Sequence, residues 1–349
     1  MTTRRTKNMS KTRIGLMGFG RIGKNVFRML VDHPDLEVAV IADIDDPEGL
    51  TYLLKYDSIY GRFPRPIELE GDSLFLDGRQ IPFISAREPG DADWSAHGVD
   101  IVVQATGKYR TAADLQKHLD AGAKKVIMAS TPEPGETIPL ILRGINDEIL
   151  TASTSVIALG SNTSNALAPI LRVLDSSFGI EKAMFTTVHA MTNSLRLADV
   201  PTDGFRQSRA AGENIIPGPT NSAEILTGVM PEFEGKLTGQ ALNVPVADGS
   251  TIDLVAWVSK PTSVDEVNAA VKSAAAGIYS GIVEYNTDPI VSSDVRMDTE
   301  SAVFDSLATM VMNETFVKTI TWFNNGWGYT ARVIEVAETM AGSLEGASA

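Results

Sequence analysis

The sequence predicts an α/β protein in two parts, a doubly wound parallel sheet followed by an α+β domain. Three observations predict it. Through the first half, short apolar runs alternate with amphipathic stretches, the pattern of parallel βαβ units. A glycine-rich turn, Gly18-Phe19-Gly20-Arg21-Ile22-Gly23, joins the first apolar run to the first amphipathic stretch. After Asn162 longer β-type runs succeed one another without that alternation.

The elements follow in order. Thr12–Met17 reads as a strand, and Arg21–Asp32 as a helix with Ile22, Val26, Met29 and Leu30 on one face. Leu36–Ala42, rich in Val and Ile, reads as the second strand. Val99–Gln104, Lys125–Ala129 and Val156–Leu159 are compact β-type runs, with a helix over Ala112–Ala121. Beyond Asn162, strands are expected at Lys182–Val188, Leu237–Val246 and Ile252–Ser259, with no helix between successive members. Ser263 and Glu266 form a capping box that opens a helix running to about Ala276. Phe316–Phe323 reads as strand and Tyr329–Met340 as a closing helix. The expected division is residues 1–161, residues 162–326, and a terminal helix over about 327–349 packing back on the first domain. Gly212–Thr220, rich in Pro and Gly, reads as a shaped loop.

Bulk properties narrow the function. A net charge of −14 repels phosphate backbones and anionic lipid, which excludes nucleic acid and membrane surfaces as partners. It leaves room for a small anionic substrate held by a local cluster of donors. The basic, polar start Met1–Lys11 leads into no apolar signal core, and a cytoplasmic location is expected. With 0 cysteines there are no disulfides or thiolate metal sites, and 4 scattered histidines predict no metal centre.

The glycine turn carries the first chemistry. Gly18 and Gly20 let the backbone turn and approach a pyrophosphate, Gly23 lets helix pack on strand, and the helix N-terminus attracts phosphate charge. Asp43 stands at the end of the second strand, where a carboxylate accepts from a ribose diol and repels a 2′-phosphate. Ile44-Asp45-Asp46 adds no basic residue, so NAD is expected in preference to NADP.

Along nearly its whole length, from Arg13 to about Met340, the chain resembles the glyceraldehyde-3-phosphate dehydrogenase family. The motifs that carry the resemblance occur in order: Gly18–Gly23, Leu53–Ser58, Asp100–Val103, Ala121–Ile127, Ala166–Pro169, Thr186–Ala190, Arg209–Ala211, Asn214–Pro217, Gly235–Gly239 and Trp322–Tyr329. The resemblance implies a Rossmann domain, a mixed-sheet catalytic domain and a homotetramer. It places Asn162 at the position of the catalytic cysteine, His189 at its histidine partner, and Ala166 at a second cysteine. Thr106-Gly107 falls in the cofactor cleft, Asn325 at the nicotinamide carboxamide, and Tyr329 on the cofactor side. Ser161, Thr163 and Thr220 match hydroxyl donors of an inorganic-phosphate site, and Thr192 a donor to the substrate phosphate. Asn243 stands where the family has an arginine, Asn221 where it has a glycine, and Gly326 where it has a glutamate.

Asparagine cannot add to a carbonyl as a thiolate does, so the acyl-enzyme route is not expected. Direct exchange of carbonyl and alcohol needs no covalent step. The Asn162 amide can polarise an oxyanion, and His189 has the range to move a proton. The leading expectation is therefore an NAD-linked oxidoreductase acting, without phosphorylation, on a small anionic aldehyde, ketone or alcohol. A catalytically silent NAD-binding regulator or scaffold is the alternative, and residual aldehyde dehydrogenation the third. Asn162 also reads as a helix N-cap. Arg209, ahead of Arg206, is the candidate to bind an anion in place of the arginine lost at Asn243, and either also reads as an interface ion pair. Asp199 and Glu213 read as bases or as solvated charges; His33, His97 and His118 read as surface residues.

Overall fold

A computed structural model describes residues 11–346. Residues 1–10 of the basic lead, and 347–349 of the expected terminal helix, lie outside the described residues. In chain order the elements are β1 (Thr12–Met17), α1 (Arg21–Leu30), β2 (Leu36–Asp43), α2 (Pro47–Lys55), β3 (Tyr56–Asp57), β4 (Gly61–Arg62), β5 (Ile67–Glu70), β6 (Ser73–Leu76), β7 (Arg79–Ser85), β8 (Ile101–Gln104), α3 (Ala112–Asp120), β9 (Lys125–Met128) and β10 (Val156–Ala158). Then follow α4 (Asn162–Phe178), β11 (Ile180–His189), β12 (Ile216–Gly218), α5 (Ser222–Val229), β13 (Leu237–Asn243), β14 (Ser250–Val258), α6 (Val264–Ala276), β15 (Val283–Asn286), β16 (Ala302–Met312), β17 (Phe316–Phe323) and α7 (Trp327–Gly346).

The first sheet runs β10-β9-β8-β1-β2-β7-β6-β5. From β10 to β7 every pairing is parallel, and β6 and β5 extend it antiparallel. The chain starts at a central strand, builds outward through β2 to β7, then returns to β8 on the other side of β1. That reversal leaves a crevice beyond the carboxyl ends of β1 and β8, where an open α/β sheet binds ligands. This is a Rossmann-type domain. The second sheet, β12-β13-β11-β14-β17-β16-β15, is mixed: β11 is parallel to β13 and antiparallel to β14.

The two largest apolar cores match the two sheets. In the first, Ile14, Leu16, Ile41 and Val103 meet Val26, Phe27 and Leu30 of α1 and Val333, Val336 and Met340 of α7, so the last helix packs on the first sheet. In the second, Leu167, Ile170, Leu171 and Leu174 of α4 pack on Phe185, Ile252, Leu254 and Phe323. Among the described residues no helix is long and apolar enough to cross a membrane.

Four expectations need correction. A helix, α5, does stand between β11 and β13. The strand expected to reach Val246 stops at Asn243, because Pro245 lacks the N–H a ladder requires. The first helix ends at Leu30, ahead of the turn before β2. And His118 is fully buried: its Nδ1 accepts from Trp94 Nε1 at 3.0 Å, inside the packing between α3 and the segment before β8. Burial pushes its pKa down to about 4.

Candidate functional site

The crevice beyond β1 and β8 is a cleft of about 520 Å³, lined among others by Gly18, Phe19, Gly20, Arg21, Asp43, Asp45, Tyr60, Arg87, Thr106 and Asn193. Each glycine of the turn has a distinct reason to be one. Gly18 has φ +96°, and a Cβ there would press on the Thr106 backbone. A Cβ on Gly23 would run into the Gly18 carbonyl oxygen, whereas one on Gly20 would meet nothing within 4 Å. Gly20 therefore faces open cleft at the start of α1, a ten-residue helix with no side-chain cap and no acid in its first turn. Its first N–H groups and the positive end of its dipole are free for an anion. A dinucleotide pyrophosphate fits that cradle.

Asp43 holds the other end. Its carboxylate accepts from the backbone N–H of Phe19 at 2.6 Å, Ile44 at 2.7 Å and Asp45 at 3.1 Å. Ile44-Asp45-Asp46 brings no basic residue, but β7 runs beside β2 with Ser85 opposite Asp43. Arg87, two residues on, lines the same cleft. Ile22, Gly23, Gly107, Asn325 and Tyr329 do not line it. Tyr329 is buried with its hydroxyl donating to the Gly160 carbonyl at 3.0 Å, so it braces the turn into α4.

The second cluster forms where α4 begins and β11 ends. Ser161, not Asn162, is the N-cap: Ser161 Oγ accepts from Ser164 N at 3.0 Å and Ser164 Oγ from Ser161 N at 3.1 Å. Asn162 is the first helical residue, and its amide is held at both ends. Oδ1 accepts from Thr163 N at 2.7 Å, and Nδ2 donates to the Asn325 carbonyl at 3.0 Å. His189 Nε2 lies 3.4 Å from Asn162 Oδ1, and Nδ1 lies 2.7 Å from the Ala190 carbonyl.

These partners decide the tautomer. A carbonyl only accepts, so Nδ1 carries the proton, and in the neutral ring Nε2 is a bare lone pair. Asn162 Oδ1 also only accepts, and turning the amide over would lose both of its bonds. The Nε2 contact is therefore no hydrogen bond until the ring is doubly protonated. Burial lowers the His189 pKa, the bond to Ala190 opposes that, and the Arg21 charge adds to the lowering. The neutral ring with a free Nε2 is the resting form.

The hydroxyl residues divide. Ser161 Oγ lies 3.0 Å from Ser222 Oγ, which receives Thr220 Oγ1 at 3.0 Å, so these side chains tie the starts of α4 and α5 together. Thr163 is buried against Thr187 at 3.5 Å. Thr192 is half-buried and bonds Ser194 at 2.8 Å. Asn243 stands opposite His189 in the β11–β13 register, with Nδ2 donating to the Ile216 carbonyl at 3.4 Å. Arg209 pairs with Asp199 at 3.1 Å on the surface and does not line the cleft.

Sequence reasoning missed Asn324 and Tyr60. Asn324 Oδ1 accepts from Gly326 N at 2.9 Å, Trp327 N at 2.5 Å and the Tyr60 hydroxyl at 3.3 Å, and Nδ2 donates to Asp248 at 2.8 Å. It joins the first domain's loop to the strand end whose Asn325 carbonyl holds Asn162. No local signal marks a side chain that bonds across 264 residues.

Comparison with known proteins bears on the same two clusters. A family model described as the glyceraldehyde 3-phosphate dehydrogenase NAD binding domain matches residues 12–112, and its C-terminal domain counterpart matches residues 161–325. The chain belongs to the glyceraldehyde-3-phosphate dehydrogenase family. It is therefore placed among NAD-dependent oxidoreductases. It is 43% identical over 329 residues to glyceraldehyde-3-phosphate dehydrogenase of Geobacillus stearothermophilus, covering 94% of this chain and 98% of that protein. Against the enzyme of the same name from Mycobacterium tuberculosis it is 44% identical over 339 residues, covering 95% and 99%. Glyceraldehyde-3-phosphate dehydrogenase 1 of Bacillus subtilis is 42% identical over 329 residues, covering 94% and 98%.

Proposed function

We propose that this family member exchanges hydride between NAD and a small anionic carbonyl compound or alcohol without a covalent intermediate and without phosphorylation. The observation that carries the reading is His189 Nε2, a free lone pair 3.4 Å from Asn162 Oδ1, in a chain with 0 cysteines. The other nucleophile candidates are committed: Ser161 caps α4 and Thr163 faces Thr187 in the core.

Bound in the cleft by Gly18–Gly23 and Asp43, the nicotinamide dinucleotide supplies the hydride acceptor or, reduced, the donor. The chain's own part is the proton. In the oxidising direction Nε2 takes the substrate hydroxyl proton as the carbon becomes a carbonyl, and the doubly protonated ring then donates to Asn162 Oδ1. In the reducing direction that proton returns to the alkoxide. Asn162 Nδ2 has a second N–H beyond the one donated to Asn325, available to the substrate oxygen. Ser161 and Thr220 donate their hydroxyl protons within the protein, which leaves Thr192, beside Ser194, as the hydroxyl donor for the substrate's anionic group.

NAD is preferred over NADP, since the fixed carboxylate of Asp43 and that of Asp45 outnumber Arg87 at that end of the cleft. The domain division is taken as 1–161 and 162–326. A homotetramer in the cytoplasm is the proposed working form. Support for the assembly is the exposed apolar side chains Met184, Trp257, Leu307, Met310 and Met312 on the second sheet, with Leu197 and Phe205, 93% and 97% exposed, in the loop after β11.

The test is consumption of NADH across a panel of phosphorylated, phosphonylated and carboxylated aldehydes and ketones. Turnover lost in His189→Ala, with no acyl phosphate formed when the same aldehydes are offered with NAD and inorganic phosphate, is the expected result. NAD binding with no turnover on any member would establish the scaffold reading instead.

A further inference from the structure

Four cations line the cleft: Arg21, Lys24, Arg87 and Lys108. They are placed differently. Arg87 stands at the Asp43 end, and Lys24 reaches the Leu53 carbonyl at 3.4 Å on the first domain. Arg21 crosses to the second domain, where Nη1 donates to the Met191 carbonyl at 3.4 Å, two residues beyond His189. Its charge is felt at His189, Tyr60 and Asp248. Among the described residues it has no carboxylate within ion-pairing distance. A guanidinium has five N–H donors, and a single long bond to a carbonyl leaves most of them open.

Neither second-domain position expected to bind the anion supplies such a group. Arg209 is neutralised by Asp199, and the side chain opposite His189 in the register is the neutral amide of Asn243. A substrate anion beside His189 therefore finds its unpaired cation on α1, across the cleft. We propose that Arg21 binds the anionic group of the substrate, between His189 and Thr192–Asn193, and so selects phosphate-, phosphonate- or carboxylate-bearing carbonyl compounds. The role rests on the hydride-exchange reading above and adds the residue that recognises the substrate class. It also couples recognition to proton transfer. Free Arg21 disfavours a second proton on His189, and an anion that neutralises Arg21 relieves that effect, so an anionic substrate tunes the histidine.

The test uses inorganic phosphate as the probe and the NAD-saturated, full-length protein. Calorimetric titration compares wild type with Arg21→Gln and Arg21→Lys, each also titrated with NAD alone. Loss of a charge-assisted pair predicts phosphate affinity about 10-fold to 100-fold weaker in Arg21→Gln, partly recovered in Arg21→Lys. Arg21 serves the cofactor cradle through its backbone N–H, which both variants keep, so NAD affinity should stay within about 3-fold. Phosphate affinity unchanged in both variants overturns the assignment. So does an equal loss of NAD affinity, which would make Arg21 a cofactor contact, or a wild type that binds no phosphate. These binding results remain readable if the carbonyl panel shows no turnover, so failure of the reaction and failure of the Arg21 role are separable.

Discussion

Two helices start at the carboxyl edge of the same parallel sheet and meet opposite fates. α1 begins at Gly20 with no side-chain cap and open space before it. α4 begins at Ser161 with a complete capping box, and its first residue is tied to Asn325. One N-terminus is left for a ligand, the other is satisfied by the protein. The difference shows that a helix end is an anion site only when the sequence withholds its own oxygen atoms. On the proposed reading, binding at α1 is backbone work, secured by glycines, whereas reaction at α4 turns on the side chain at position 162.

The contrast can be broken or sharpened by substitution. The largest effect is expected at the reactive end: His189→Ala should lower turnover by about 10²- to 10⁴-fold, the usual worth of a general acid–base group. NAD affinity, measured by calorimetry, should not follow it. In the oxidising direction the neutral ring is the active form. Activity should therefore fall as pH drops, with an apparent pKa below the ordinary histidine value, read from kcat/KM across pH.

That profile must be separated from a stability effect elsewhere. His118 is neutral in the fold at a pKa of about 4 against the ordinary 6.5, so the unfolded chain binds the extra proton between those values. Stability is full above pH 6.5 and falls as pH drops toward 4, by at most about 3 kcal/mol. Urea unfolding midpoints across that range check it, and a flat profile would contradict the burial argument.

A smaller effect should come from closing α1 as α4 is closed. Gly20→Asp has room for its side chain and caps the helix with a carboxylate, so NAD affinity should drop roughly 10- to 100-fold while the fold gains. Unchanged NAD binding would mean the pyrophosphate does not use this terminus. The smallest effect is the reverse change: Ser161→Ala uncaps α4 at a cost of about 1 kcal/mol, read from thermal unfolding.

Much of this was legible in the residues. The glycine turn, Asp43 closing β2, and the Ser263–Glu266 box opening α6 are local signals, and each landed on the element expected. The proximity of Asn162 and His189 was legible only through resemblance, since they lie on different elements and meet through the fold. Other features had a signal that went unread. Asp77-Gly78, with φ of 52° and 77°, is the two-residue turn that joins β6 to β7. α5 had little signal at all: eight residues, no side-chain cap and an internal Gly228. His118 sits among polar neighbours along α3, and only Trp94, brought in from another segment, explains its burial. Arg87 reaches the cofactor end because β7 pairs with β2, a relation that no window of sequence contains.

The claim on which the account rests is that hydride moves here with no bond between enzyme and substrate. A single turnover with NADH deuterated at the transferring position tests it most directly, read by mass spectrometry on the product and on the intact protein. The account predicts one deuterium on the former carbonyl carbon and a protein mass that never changes. A protein that leaves the carbonyl unreduced by NADH, yet with NAD and phosphate forms an acyl-enzyme adduct or releases acyl phosphate from the same aldehyde, would contradict it.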